Sequence, residues 1–191
     1  LADGAPIARE ADGHASVLPD RPVKPGDEAI SFARRFGVEA FPLDEVVLPA
    51  IDHDALIEDD KNFPAVPLRF ALPRNVGIQI SHGRWLEVNG GWLWRLQCRA
   101  DGAENIRGHV TSMDLPKGAE LLLHSDGTAN TIAGPFRELG PFQSGEAWGL
   151  TAPGDTFVIE YFTPHGVVER LPFDLSDLYH GYRDIFPHDN E

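Results

Sequence analysis

The chain has 191 residues and a formal charge of -14, from 16 Lys and Arg against 30 Asp and Glu. That length suits one domain, with or without an arm, and the charge argues against nucleic acid, whose phosphates need a concentrated basic surface. It argues equally against anionic membrane surfaces, and no apolar run approaches the roughly 20 residues that cross a bilayer. The single cysteine, Cys98, excludes an intrachain disulfide framework and any multi-cysteine metal centre.

In chain order, the opening residues Leu1 to Ala15, with Asp3-Gly4, Pro6 and Asp12-Gly13, read as a tail. They lack the basic stretch and apolar core of a signal peptide, and a start at Leu1 rather than Met carries the expectation that something upstream was removed. Asp27 is the expected cap of a helix in which Ile30, Ala33 and Phe36 fall three apart, Phe32 pairs with Phe36, and Gly37 ends the run. Phe41-Pro42 and Leu48-Pro49 favour extended chain. A second short helical turn is expected over Asp54 to Asp60, anchored by Leu56 and Ile57.

Texture changes near residue 68. Residues 1-67 carry 6 basic and 14 acidic side chains, net -8, and read as an acidic arm with one or two short helices that packs on the rest. Residues 68-183, rich in short strand patterns, read as an antiparallel β-sandwich, jelly-roll-like, so the fold class is mainly β. Expected strands are Val76 to Ile80, Trp92 to Arg99, Arg107 to Met113, Ala119 to His124, Thr156 to Phe162 and Val167 to Leu171. In the second of these, Trp92, Trp94, Leu96 and Cys98 share one face, the pattern of a half-buried strand with its tryptophans inward. Asn89-Gly90-Gly91 just before it is a hairpin signal.

The search for chemistry yields little. Ser81-His82-Gly83 and Ser144-Gly145 lack the glycine-framed setting of a nucleophilic serine and read as turns. Cys98, on the tryptophan face, reads as a small core hydrophobe. No His-x-His or His-x-x-x-His pair occurs, and no glycine-rich phosphate loop. Asp52, Asp54, Glu58, Asp59 and Asp60, around His53, offer oxygen ligands for calcium, but without the glycine and alternating spacing of a calcium loop; a solvated or salt-bridged face is the plainer account. Trp85, Trp148 and Tyr161 keep a carbohydrate platform open as an alternative. The residues by themselves thus lead to a non-catalytic sandwich with no cofactor.

A resemblance carries the reading further. Ile51-Asp52-His53-Asp54-Ala55-Leu56, Glu58-Asp59-Asp60 and Leu68-Arg69-Phe70-Ala71 come first. Gly83-Arg84-Trp85, Trp92-Leu93-Trp94-Arg95-Leu96, Leu115-Pro116-Lys117-Gly118-Ala119-Glu120-Leu121 and Gly134-Pro135-Phe136 follow. Pro153-Gly154-Asp155, Ile159-Glu160 and finally Tyr179-His180-Gly181-Tyr182-Arg183 complete the series. In this order it resembles the N-terminal pro-region of secreted bacterial trypsin-like serine endopeptidases of the lysyl endopeptidase type, over residues 50 to 183. The resemblance implies a secreted or periplasmic protein that assists folding of its cognate serine protease domain, inhibits it, or both. It implies no catalytic residue in this chain, since the triad of such precursors lies beyond the His-Gly-Tyr-Arg segment, and it makes residues 184-191 the C-terminal junction to a missing protease domain. Partner contact is expected from Tyr182, Arg183, Asp184, Ile185, Phe186, Pro187, His188, Asp189, Asn190 and Glu191, by position alone. Processing after Glu191 would point to a glutamyl-specific protease or to a second processing enzyme, and the scarcity of lysine (Lys24, Lys61 and Lys117 only) would suit resistance to a lysyl protease.

Overall fold

The computed structural model describes residues 30-62, 68-125 and 129-186. In chain order its elements are α1 (Phe32–Phe36), β1 (Glu45–Leu48), α2 (His53–Asp60), β2 (Ala71–Arg74), β3 (Arg84–Val88), β4 (Gly91–Ala100), β5 (Asn105–Thr111) and β6 (Glu120–His124). They are followed by β7 (Ala133–Phe136), β8 (Ala147–Trp148), β9 (Ala152–Pro153), β10 (Thr156–Thr163) and β11 (Asp174–Gly181). The protein is mainly β. One sheet has the order β1-β4-β10-β6-β7, with β3 on the same edge of β4 as β1; the other has the order β2-β11-β5-β8, with β9 also on β5. All pairings are antiparallel except that of β1, whose Glu45 to Leu48 run parallel to Gln97 to Ala100.

The two sheets close over one apolar core. Trp94, Leu96, Cys98, Leu121, Leu123, Phe157, Ile159 and Tyr161 from the first meet Ile106, Val110, Leu175 and Leu178 from the second. A smaller cluster lies on the outer face of the first sheet, where Phe32, Ala33 and Val38 cover Leu93, Leu122 and Phe162. The chain between the edge strands β1 and β2 forms α2, and the chain between the opposite edges β7 and β8 forms the 137-146 connection.

Several expected features take a different form. The cap of α1 is Ser31, whose hydroxyl accepts from the Arg34 amide; Asp27 lies outside the described residues. Gly37 ends the helix in the left-handed conformation its lack of Cβ permits, at φ 69°. Residues 76-80 form no strand, because Gly77 sits at φ 58°, where no ladder continues; Val76, Ile78 and Ile80 still pack on the core. Residues 167-171 also form none, and the strand of that region starts at Asp174. Val168 and Leu171 supply the apolar signal there by packing alone. The true strand β11 was concealed by a bulge between Leu175 and Asp177, which breaks period-2 alternation. β4 is not half-buried but covered on both faces: Leu93 is 0% and Arg95 7% exposed on the side opposite Trp94. The Asn89-Gly90 turn joins β3 to β4 as read, with Val88 paired to Gly91.

Candidate functional site

Under α1 the sequence places a glutamate where alternation points away from the core. Glu160 lies on β10 directly opposite Arg95 of β4 and Leu122 of β6. Its carboxylate is 0% exposed. It accepts from the Phe32 amide at 2.5 Å, the Ala33 amide at 3.2 Å and Arg95 Nε at 3.1 Å, and His124 Nε2 lies 3.7 Å away. Burial opposes its ionisation, but His124, Arg95 and the Phe32 amide outweigh burial and hold its pKa below the ordinary value. Glu120 repeats the device one step along the face, binding Arg35 of α1 at 3.3 Å and Arg137 Nε at 2.8 Å. This network ties α1 to the sheet. Its two carboxylates are buried, whereas Arg35 and Arg137 keep part of their side chains in solvent.

A second polar network sits at the rim, where β11 ends beside α2. The Tyr182 hydroxyl lies 2.8 Å from Asp60 Oδ2 and from the Arg69 carbonyl oxygen, and Arg69 Nε donates to it at 3.1 Å. Arg183 Nη2 donates to Asp60 at 2.8 Å, and Arg69 also binds Asp59 and Asp60. Arg183 above all, with the Tyr182 hydroxyl and Arg69 against a smaller desolvation cost, holds the Asp60 carboxyl below its ordinary range. Burial first, then the bond to Asp60, raises the Tyr182 phenol.

His180, fully buried, continues this rim inward. Arg74 Nη1 lies 3.5 Å from its Nδ1, and its Nε2 lies 3.3 Å from His53 Nε2. Guanidinium can only donate, so Nδ1 is the acceptor and the Nε2 proton of His180 points to His53. Burial, then the charges of Arg74 and His53, bring the His180 pKa down to about 4, so the imidazole is neutral near pH 7. Gly181 is fixed by contact: a Cβ there would meet the Asn105 side chain at 2.3 Å, and Asn105 Nδ2 donates to the Arg183 carbonyl at 2.7 Å.

The residues singled out from sequence fall as follows. Asp52 caps α2, accepting from the Ala55 amide at 2.9 Å; Asp54 is exposed in the first turn; Glu58 pairs with Lys61; Asp59 and Asp60 belong to the rim network. Among the described residues no group of three His, Cys, Asp or Glu is arranged to hold a metal ion. Trp85 and Tyr161 meet edge to face at 5.9 Å on the core side of the first sheet, and Tyr161 is 0% exposed. Trp148 lies apart on the second sheet, stacked on His109 at 3.8 Å with Arg107 4.5 Å from its ring. The three do not form one platform. Cys98 is 0% exposed, and burial, with the charge of Glu45, pushes its thiol up to about 12. Of the expected contact segment, Tyr182 is 2% exposed and Arg183 is committed to Asp60, whereas Asp184 and Ile185 are exposed and Phe186 half-buried. The Phe186 amide donates to Asp184 Oδ1 at 3.0 Å, a tight local turn, and Pro187 to Glu191 lie outside the described residues.

Sequence reasoning missed Glu160, Arg95, His124 and Glu120, because nothing local announces that α1 will cover them. It also missed Ser176, which the β11 bulge turns toward His109. The Ser176 hydroxyl donates to the His109 carbonyl oxygen at 3.1 Å and lies 3.1 Å from His109 Nδ1. That contact stitches the bulge to β5. The chain matches no family model, no curated protein and no solved structure.

Proposed function

We propose that this chain is a non-catalytic pro-domain of a secreted serine endopeptidase, which helps its protease domain fold and inhibits it until removed. The observation that carries the reading is the meeting at one rim of segments far apart in sequence. Asp59 and Asp60 come from the first segment of the resemblance, Arg69 from the next, and His180, Tyr182 and Arg183 from the last. Their hydrogen bonds anchor Arg183 at this rim, just before the exposed Asp184 and Ile185. A partner tethered through a short segment from that rim is held at an effective concentration of roughly millimolar. A domain that binds the folded protease and not its unfolded chain stabilises it by mass action.

The acid content suits the same role. A net charge of -14 favours encounter with a basic protein surface, an effect on association and orientation more than on final affinity. The reading predicts that the purified chain slows a secreted lysyl or glutamyl endopeptidase, and that removing residues 184-191 weakens the effect. Full protease activity at saturating concentrations of the intact chain would contradict it.

A further inference from the structure

His53 and His180 meet at 3.3 Å through the same atom of each ring, Nε2. No residue of α2 is buried, so the helix is held to the sandwich chiefly by polar contacts. His53 bonds His180 at its first turn; Asp59 and Asp60 bond Arg69, Tyr182 and Arg183 at its last. We propose that α2 is an acid-released latch, seated on the rim while the His53 and His180 rings are neutral and released when this pair takes up a proton. The latch does not depend on the pro-domain reading, and it gives the rim a means of regulation.

Two Nε2 atoms share a hydrogen bond only when one carries the hydrogen and the other a free lone pair. His180 has no choice of tautomer, because the Arg74 guanidinium, 3.5 Å from Nδ1, needs a lone pair there. Arg74 is itself held in place, since the same Nη1 donates to the Pro49 carbonyl at 2.5 Å. The hydrogen of His180 is therefore on Nε2, and His53 must supply the lone pair. A proton on either ring ends this arrangement. On His53 it fills the accepting lone pair, and two N–H groups then face each other. On His180 it lands on Nδ1 and sets a new hydrogen against the guanidinium.

The surrounding groups set the balance. Burial, Arg74 on β2 and His53 on α2 oppose a charge on His180, whereas Asp101, in the turn after β4, and Asp155, before β10, favour it more weakly. Opposition wins, and the His180 pKa falls from 6.5 to about 4. Beside His53, Asp52 is bound to the Ala55 amide and Asp54 is exposed. The Tyr182 ring, 6.4 Å from His53, stays neutral, and Asp60 stays ionised down to its depressed range. The seated helix thus refuses a proton that the released one accepts, so acid favours release. Away from the rim an eight-residue helix does not persist in water, and its amides exchange.

The test is hydrogen exchange of the full chain at about pH 7.5 and about pH 5, corrected for the intrinsic rate. With His180 at 6.5 when released and about 4 when seated, release becomes roughly thirtyfold more frequent at the lower pH. The α2 amides should lose that much protection while those of β4 and β10 keep theirs. His180→Gln should remove most of the loss. Should that variant fail to fold, His53→Gln decides: its amide oxygen accepts from Nε2 whatever the charge on His180, so the loss should shrink. Four results overturn the latch: α2 amides unprotected at neutral pH, α2 protection unchanged by acid, α2 and β4 losing protection together, or a loss in His53→Gln equal to that of the wild type. No protease enters the measurement, so its failure leaves the pro-domain reading standing.

Discussion

The two polar networks of this fold use the same chemistry at different depths. Glu160 and Glu120, under α1, have side chains 0% and 4% exposed, whereas Asp60 at the rim keeps 14% of its side chain in contact with solvent. Both join segments more than a hundred residues apart: Phe32 to Glu160 in one, Asp60 to Arg183 in the other. The first network holds α1 to the sheet through carboxylates that water does not reach, although Arg35 and Arg137 are partly exposed. The rim network holds α2 and Arg69 to the end of β11 through a carboxylate that water reaches in part. Burial makes the first a matter of architecture; the second is the joint of the proposed reading.

Removing one partner from each network should separate them most sharply. Glu160→Leu leaves the Arg95 guanidinium buried without its carboxylate and the α1 amides without their acceptor; a loss of about 3–5 kcal/mol in urea unfolding is expected. The double variant Arg95→Leu with Glu160→Leu should lose less than Glu160→Leu alone, because no unpaired charge remains. If the two lose equally, the network is not held by charge. At the rim, Tyr182→Phe deletes only the hydroxyl shared by Asp60 and Arg69, with an expected cost of about 1–2 kcal/mol. A Tyr182→Phe effect as large as that of Glu160→Leu would erase the distinction between joint and architecture.

Acid should separate His180 from the carboxylates of both networks, with a smaller effect. His180 is depressed from 6.5 to about 4, so the unfolded chain takes up a proton that the folded chain refuses. Its contribution is complete above pH 6.5 and is lost as pH falls toward 4. Asp60 and Glu160 are depressed below 3.8 and 4.5 respectively, so their contributions are present above those values and are lost only at lower pH. Stability measured by denaturant at successive pH values should therefore fall in two stages. His180→Gln should flatten the upper one and leave the lower; an unchanged upper limb would contradict the assignment.

How much of this was legible from the residues follows from the range of each interaction. The alternation of Trp94, Leu96 and Cys98 marked the core face of β4 because it is local and period-2. The opposite face of the same strand was unreadable, since Arg95 looks like a solvated residue until α1 lies over it. Glu160 was concealed in the same way inside an otherwise correct strand. The acidic run Asp52 to Asp60 was readable as a salt-bridged face, but its cations, Arg69 and Arg183, are brought in by strand pairing from elsewhere in the chain. The β11 bulge hid a strand, and the apolar spacing of Val168 and Leu171 imitated one.

The central claim is that the chain acts on a protease domain, and refolding tests it most directly. A denatured secreted serine endopeptidase domain of the lysyl type is diluted with and without an equimolar amount of the chain, and active enzyme is counted after the chain is removed. The account predicts a higher yield with the chain, and a smaller gain when Tyr182→Phe loosens the joint. Equal yields with and without it, at concentrations where the chain is fully folded, would contradict the account.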